Sequence, residues 1–185
     1  MSYAPGFTRL SSAAALCFAF AAPAAQATVY TFTQGGYSGG GSIAGTFTGI
    51  DLNGDGQIDS RRGEVTAFSL GFSGDSVVGP FSHSLGDLST LVYDIGSGSI
   101  GDVFIAGLAP GIASNWYGST GVDYASGLGP TGGPGGRVID VASGNTSTTV
   151  QSVLVTAAVP EPGTAALFAL GLAGFGLLRR RGNED

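Results

Sequence analysis

The sequence predicts an all-β fold, an antiparallel sandwich or jelly roll, for the middle of the chain. Three observations carry this expectation. Apolar and polar residues alternate in short runs rich in Val, Ile, Thr, Phe and Tyr. Glycine-bearing turns separate those runs. No stretch between residues 28 and 158 sustains a helical period. The first run begins at Thr28, with Tyr30 and Phe32 facing one way and Val29, Thr31 and Gln34 the other. Further strands are expected over residues 42–50, 64–72, 76–82, 88–95, 103–106, 114–117, 137–141 and 148–157. Nine or so short strands in a domain of this size suit two packed antiparallel sheets. Phe47, Phe68, Phe72, Phe81, Leu91, Tyr93, Phe104 and Trp116 are expected to fill the core. Two glycine-rich stretches, 35–41 and 127–136, read as flexible surface loops. Neither carries the lysine of a phosphate loop, so nucleotide binding is not indicated.

Composition narrows the partners. The 185 residues include 34 glycines, no lysine, and 7 arginines against 13 acidic side chains. Within residues 28–158 only Arg61, Arg62 and Arg137 are basic, against ten carboxylates. So acidic a surface repels phosphate backbones, which argues against nucleic acid as a partner. Cys17 is the single cysteine, and it falls in a segment expected to be removed, so no disulfide is expected in the mature domain.

The two ends differ from the middle. Arg9, an apolar run from Ala13 to Ala22, and the small residues Ala25 and Ala27 form a secretory signal over residues 1–27, with cleavage by signal peptidase expected after Ala27. The apolar run is too short to span a bilayer. Residues 28–158 form the β-domain and residues 159–185 a tail. In the tail, Pro160 and Pro162 disfavour helix around Glu161. Residues 165–178 then run without a charge and predict a single transmembrane helix. Arg179, Arg180 and Arg181 close it as a stop-transfer cluster that places this end in the cytoplasm.

Pro160-Glu161-Pro162, the short glycine-containing apolar helix and the terminal arginines resemble the PEP-CTERM sorting signal of Gram-negative bacteria. The resemblance implies an exosortase, an integral-membrane cysteine protease, that cuts the tail near the motif. It implies a transient inner-membrane intermediate, then the cell surface or extracellular matrix. It also implies a setting of exopolysaccharide and biofilm.

One internal segment carries a chemical signal. In Asp51-Leu52-Asn53-Gly54-Asp55-Gly56-Gln57-Ile58-Asp59, side-chain oxygens at positions 1, 3 and 5 can converge on a hard cation. Glycine at position 6 allows the sharp turn, and Ile58 at position 8 is expected to pack inward. The pattern resembles an EF-hand or dockerin-type calcium loop over nine positions. It departs at position 12, where Arg62 replaces the usual acid; Glu64 follows two residues later. Asp51, Asn53, Asp55, the Gln57 carbonyl, Asp59 and Glu64 are therefore the expected calcium ligands, set in a turn between strands. The competing reading is a polar turn in which Asp and Asn bond their own backbone.

His83 is the only histidine and no nucleophile elbow is present, so the domain is expected to be non-catalytic. A surface or matrix protein is the leading expectation. A carbohydrate-binding module that presents Trp116, Tyr117 and Tyr124 to extracellular polysaccharide is the alternative, and a secreted hydrolase a third.

Overall fold

A computed structural model describes residues 27–101, 109–116 and 118–157. Among them the chain forms twelve strands. The first six are β1 (Thr28–Gln34), β2 (Ile43–Gly49), β3 (Gln57–Asp59), β4 (Val65–Phe72), β5 (Phe81–Ser84) and β6 (Leu88–Asp94). The rest are β7 (Ser99–Ile100), β8 (Gly111–Ser114), β9 (Val122–Ser126), β10 (Gly136–Asp140), β11 (Thr146–Thr149) and β12 (Val153–Ala157). Two sheets result. Sheet A has the order β5-β4-β2-β1-β12-β7 and sheet B the order β11-β10-β9-β8-β6-β3. Every pairing is antiparallel.

The alternation seen in the sequence becomes the two faces of each sheet. In β1, Tyr30, Phe32 and Gln34 are buried while Val29, Thr31 and Thr33 are exposed. Gln34 is therefore on the face opposite to the one expected, because strict period two places it with Phe32. Both ends of its amide are engaged there. Oε1 accepts from the hydroxyls of Tyr37 at 2.7 Å and Tyr124 at 2.9 Å, and Nε2 donates to the Gln151 carbonyl at 2.7 Å. Desolvation by burial pushes both tyrosine hydroxyls far above their usual range, so they stay protonated donors.

One core joins the sheets. Phe32, Phe47, Phe68 and Phe72 of sheet A pack in a single cluster with Leu91, Tyr93, Ile112 and Val138 of sheet B. Tyr30 stacks on Phe47 at 4.7 Å between ring centroids, and Tyr93 meets Tyr30 edge-on at 5.1 Å across the interior. Each such buried ring contributes about 1.5–3 kcal/mol. Phe81 packs at the margin of this core, and Trp116, half-buried, is not part of it. Phe104 and the strand expected at 103–106 lie outside the described residues.

Three of the expected strands depart by more than a residue at an end. Residues 76–80 turn instead of extending, because Asp75 Oδ1 accepts from the backbone N–H groups of Val77 and Val78, both at 2.7 Å. The strand starts only at Phe81. The run expected over 114–117 ends at Ser114 instead, where Asn115 takes φ 49° and closes β8. The run over 148–157 splits into β11 and β12, which belong to opposite sheets. The short β3, β7 and β9 carried too little pattern to be expected.

The stretch 127–136 is also more ordered than a flexible loop. It folds as a tapering hairpin, with Gly127 N–H donating to the Gly135 carbonyl and Gly129 N–H to the Gly133 carbonyl. Gly135 sits at φ 120°, and a Cβ there would lie 1.9 Å from the Thr149 carbonyl oxygen. Only glycine fits that approach. In the other stretch Tyr37 is buried and anchors the loop between β1 and β2.

Candidate functional site

The loop after β2 lies at the end of the domain where the described chain begins and ends. Gly49 pairs with Thr28, and Ala157 with Tyr30. The loop is fastened at both sides: Ile50 N–H donates to the Glu64 carbonyl, and the Gly56 carbonyl accepts from Ile95 N–H, each at 2.9 Å.

Asp51, Asn53 and Asp55 are brought together on its outer turn. Asp51 Oδ1 accepts from Gly54 N–H at 2.7 Å and Asp55 N–H at 3.2 Å, and Oδ2 from Gly56 N–H at 2.9 Å. Asn53 Oδ1 accepts from Asp55 N–H at 2.9 Å, and Asp55 Oδ1 from Gln57 N–H at 3.0 Å. Gly56 takes φ 81°, as expected of position 6, and Ile58 packs into the core at 1% exposure. Asp51 Oδ2 and Asp55 Oδ1 each accept one bond and keep a lone pair, whereas Asp51 Oδ1 accepts two, and Asp55 Oδ2 accepts from Asn53 and Arg62. The set is hard, anionic and all oxygen.

The remaining candidates serve other partners. Glu64 is 1% exposed and braces the loop from beneath, Oε1 accepting from Leu52 N–H at 3.2 Å and Oε2 from Asp59 N–H at 2.8 Å. Asp59 caps the short 3-10 turn of residues 60–62 by accepting from Arg61 N–H at 2.9 Å. It also takes a two-pronged contact from the Arg61 guanidinium, at 3.1 and 2.8 Å. Gln57 sends its side chain to Asp94 Oδ1 at 2.7 Å. Among the described residues no three His, Cys, Asp or Glu side chains converge as a metal cage.

Arg62 holds the place of the missing acid. Its Nη1 donates to Asp55 Oδ2, and its Nε lies 3.6 Å from Asp59 Oδ2. A guanidinium therefore rests on the carboxylates of the loop. The Gln57 backbone N–H is the main cause that holds the Asp55 carboxyl below the usual range, and Arg62 and Asn53 add to it against desolvation. Burial pushes Asp59 upward, yet the Arg61 side chain and N–H, together with Arg62, outweigh it and leave its pKa lowered. The sequence showed Arg62 only as a departure from a motif. The signal that could have found its role is the pair of acids at its i−7 and i−3 positions.

The other candidates separate clearly. Tyr124 is fully buried and cannot present a glycan platform, because its hydroxyl is turned onto Gln34 in the core. Tyr117 lies outside the described residues. His83 Nδ1 sits 2.7 Å from Ser114 Oγ, but Ser114 is fully buried, so this contact ties β5 to β8 across the sandwich. Ala25, Pro160, Glu161, Pro162, the helix expected at 165–178, and Arg179, Arg180 and Arg181 also lie outside the described residues, while Ala27 is exposed just before β1. No helix among the described residues is long and apolar enough to cross a membrane.

An all-β domain of two antiparallel sheets thus precedes a tail with a proline-flanked acid, an apolar stretch and an arginine cluster. A family model described as the PEP-CTERM protein-sorting motif matches residues 158–181. The chain thus carries a PEP-CTERM sorting motif over these residues. The motif marks it as the target of an exosortase, exported through a membrane-anchored intermediate to the surface. No curated protein and no solved structure matches the chain.

Proposed function

We propose that the β-domain is a non-catalytic cell-surface or matrix module, released by exosortase cleavage, whose loop at residues 51–64 takes calcium weakly. The cleavage follows from the sorting motif. Intact-mass measurement of surface protein from the native host tests it. The mature chain is expected to begin at Thr28 and to end near residues 160–162; a surface species that still contains Arg179–Arg181 overturns the proposal.

The observation that carries the calcium reading is the oxygen set of Asp51, Asn53 and Asp55 on one exposed turn with a cationic side chain lodged against it. Three side chains and a carbonyl fall short of the six to eight oxygens that calcium prefers, so water completes the shell and affinity is low, on the order of 10⁻⁴–10⁻³ M. Calcium must also displace Arg62 from Asp55. Arg62→Glu restores an acid at position 12 and removes the competitor, and is expected to tighten calcium binding at least about tenfold. Asp51→Ala and Asp55→Ala are expected to abolish it. Isothermal titration of the wild type and these variants decides. If Arg62→Glu takes up no calcium at millimolar concentration, the loop is a self-bonded polar turn and nothing more. Magnesium, which demands a tighter octahedral shell, is expected to bind more weakly.

The domain's place in an exopolysaccharide matrix rests on the sorting signal alone. The reading as a non-catalytic module is supported by the burial of Ser114 behind His83.

A further inference from the structure

The outer faces of the two sheets are unlike. On sheet B, the outward side chains of Thr90, Val92, Ala113 and Ala125 are buried although they stand outside the central core. On sheet A the outward side chains are open to solvent along β1, β2, β4, β5 and β12. The six strands of sheet A contain no Asp, Glu, Lys or Arg at all, and its one histidine points to Ser114 on the other sheet. The nine carboxylates among the described residues all lie on loops, on a 3-10 turn or on sheet B.

Hydroxyls take the place of charge. The strand register aligns Thr156, Thr31, Thr46, Ser69 and Ser84 in one row across five strands. At about 4.8 Å between strands the row runs for roughly 19 Å. Its members bond each other: Thr31 Oγ1 to Thr156 Oγ1 at 2.6 Å, and Thr46 Oγ1 to Ser69 Oγ at 3.0 Å. These bonds fix the hydroxyls in place and leave lone pairs facing outward. Thr33 and Ser82 continue the pattern in the next row, and exposed Leu154 and Val29 supply methyl groups beside it.

From this geometry we propose that the outer face of sheet A binds a neutral, hydroxyl-rich polysaccharide chain lying along the row. Fixed donors and acceptors match sugar hydroxyls, and the flanking methyls match the C–H faces of the rings. Polyanions are repelled by the acidic domain as a whole, and polycations are drawn to the acidic loops and away from this face. The twist of a six-stranded sheet favours a flexible chain over a flat crystalline surface. The site is separate from the 51–64 loop and independent of calcium.

Electrophoresis of the exported protein through native gels containing hydroxyethyl cellulose, dextran or mannan, with alginate as the polyanion, tests this. Retardation is expected in at least one neutral gel, equally with calcium and with EDTA. The double variant Thr31→Val/Thr46→Val keeps branched side chains and removes two hydroxyls from the row; its affinity is expected to fall about tenfold with an unchanged melting midpoint. Ser84→Ala at the edge strand, a second variant on an exposed side chain, is expected to weaken binding less. Failure of all neutral gels to retard the wild type overturns the proposal. So does retardation by alginate alone, or equal retardation of the wild type and both variants. A calcium-insensitive result here leaves the loop's own titration to stand or fall separately.

Discussion

His83 shows how one side chain can couple a sandwich to pH. Its ring reaches from β5 to Ser114 of β8 and hydrogen-bonds the Val122 backbone. Burial lowers its pKa below 6.5, against the opposing pull of the Asp87 carboxylate and the Val122 contact. The unfolded chain therefore holds the proton more tightly than the folded one. Stability is full above about pH 6.5, falls as pH drops from there toward the folded pKa, and is flat below it. Thermal midpoints measured between pH 7.5 and 5 are expected to decline for the wild type and to stay level over the same window for His83→Gln. A parallel decline in both would assign the effect to other groups. At this scale the sequence was partly legible. Ile58 and Gly56 could be placed from the loop pattern alone, because each answers a local demand. Gln34 and Tyr124 could not, since their burial depends on meeting each other across 90 positions.

Strands with long alternating runs were read nearly to the residue. β2 differs from expectation by one position at each end and β4 by one at its start, since seven or eight residues of period two leave little freedom. β3 and β7, at three and two residues, are defined by their partners and carry no pattern of their own. The break between β11 and β12 was hidden for a different reason. Thr148–Ala157 is uniformly β-prone, and only the crossing from sheet B to sheet A interrupts it at residues 150–152. The exchange makes β12 the strand between β1 and β7, and gives a direct test of which elements the domain needs. Deleting residues 158–185 removes no described strand, and the melting midpoint is expected to hold. Deleting from Val150 onward takes β12 as well and strips β1 of one of its two partners. Cooperative unfolding by circular dichroism is expected to vanish in that chain. Equal melting of the two truncations would show that the β1–β12 pairing is dispensable.

Across the whole molecule, the fold class and the sorting tail were legible because each rests on local pattern. Strand order and the asymmetry of the two outer faces were not, because both depend on register between distant segments. The pairing of Thr31 with Thr156 spans 125 positions, and it has a meaning in time as well as in space. A chain exported from its N-terminus delivers β1 first and β12 last. Until β12 is through, β1 has one edge unpaired, the same gap that the truncation at Val150 leaves. Sheet A is complete only with residue 157, which directly precedes the sorting motif matched at 158–181. In the order of the chain, the last strand that sheet A needs therefore comes directly ahead of the segment a sorting protease reads.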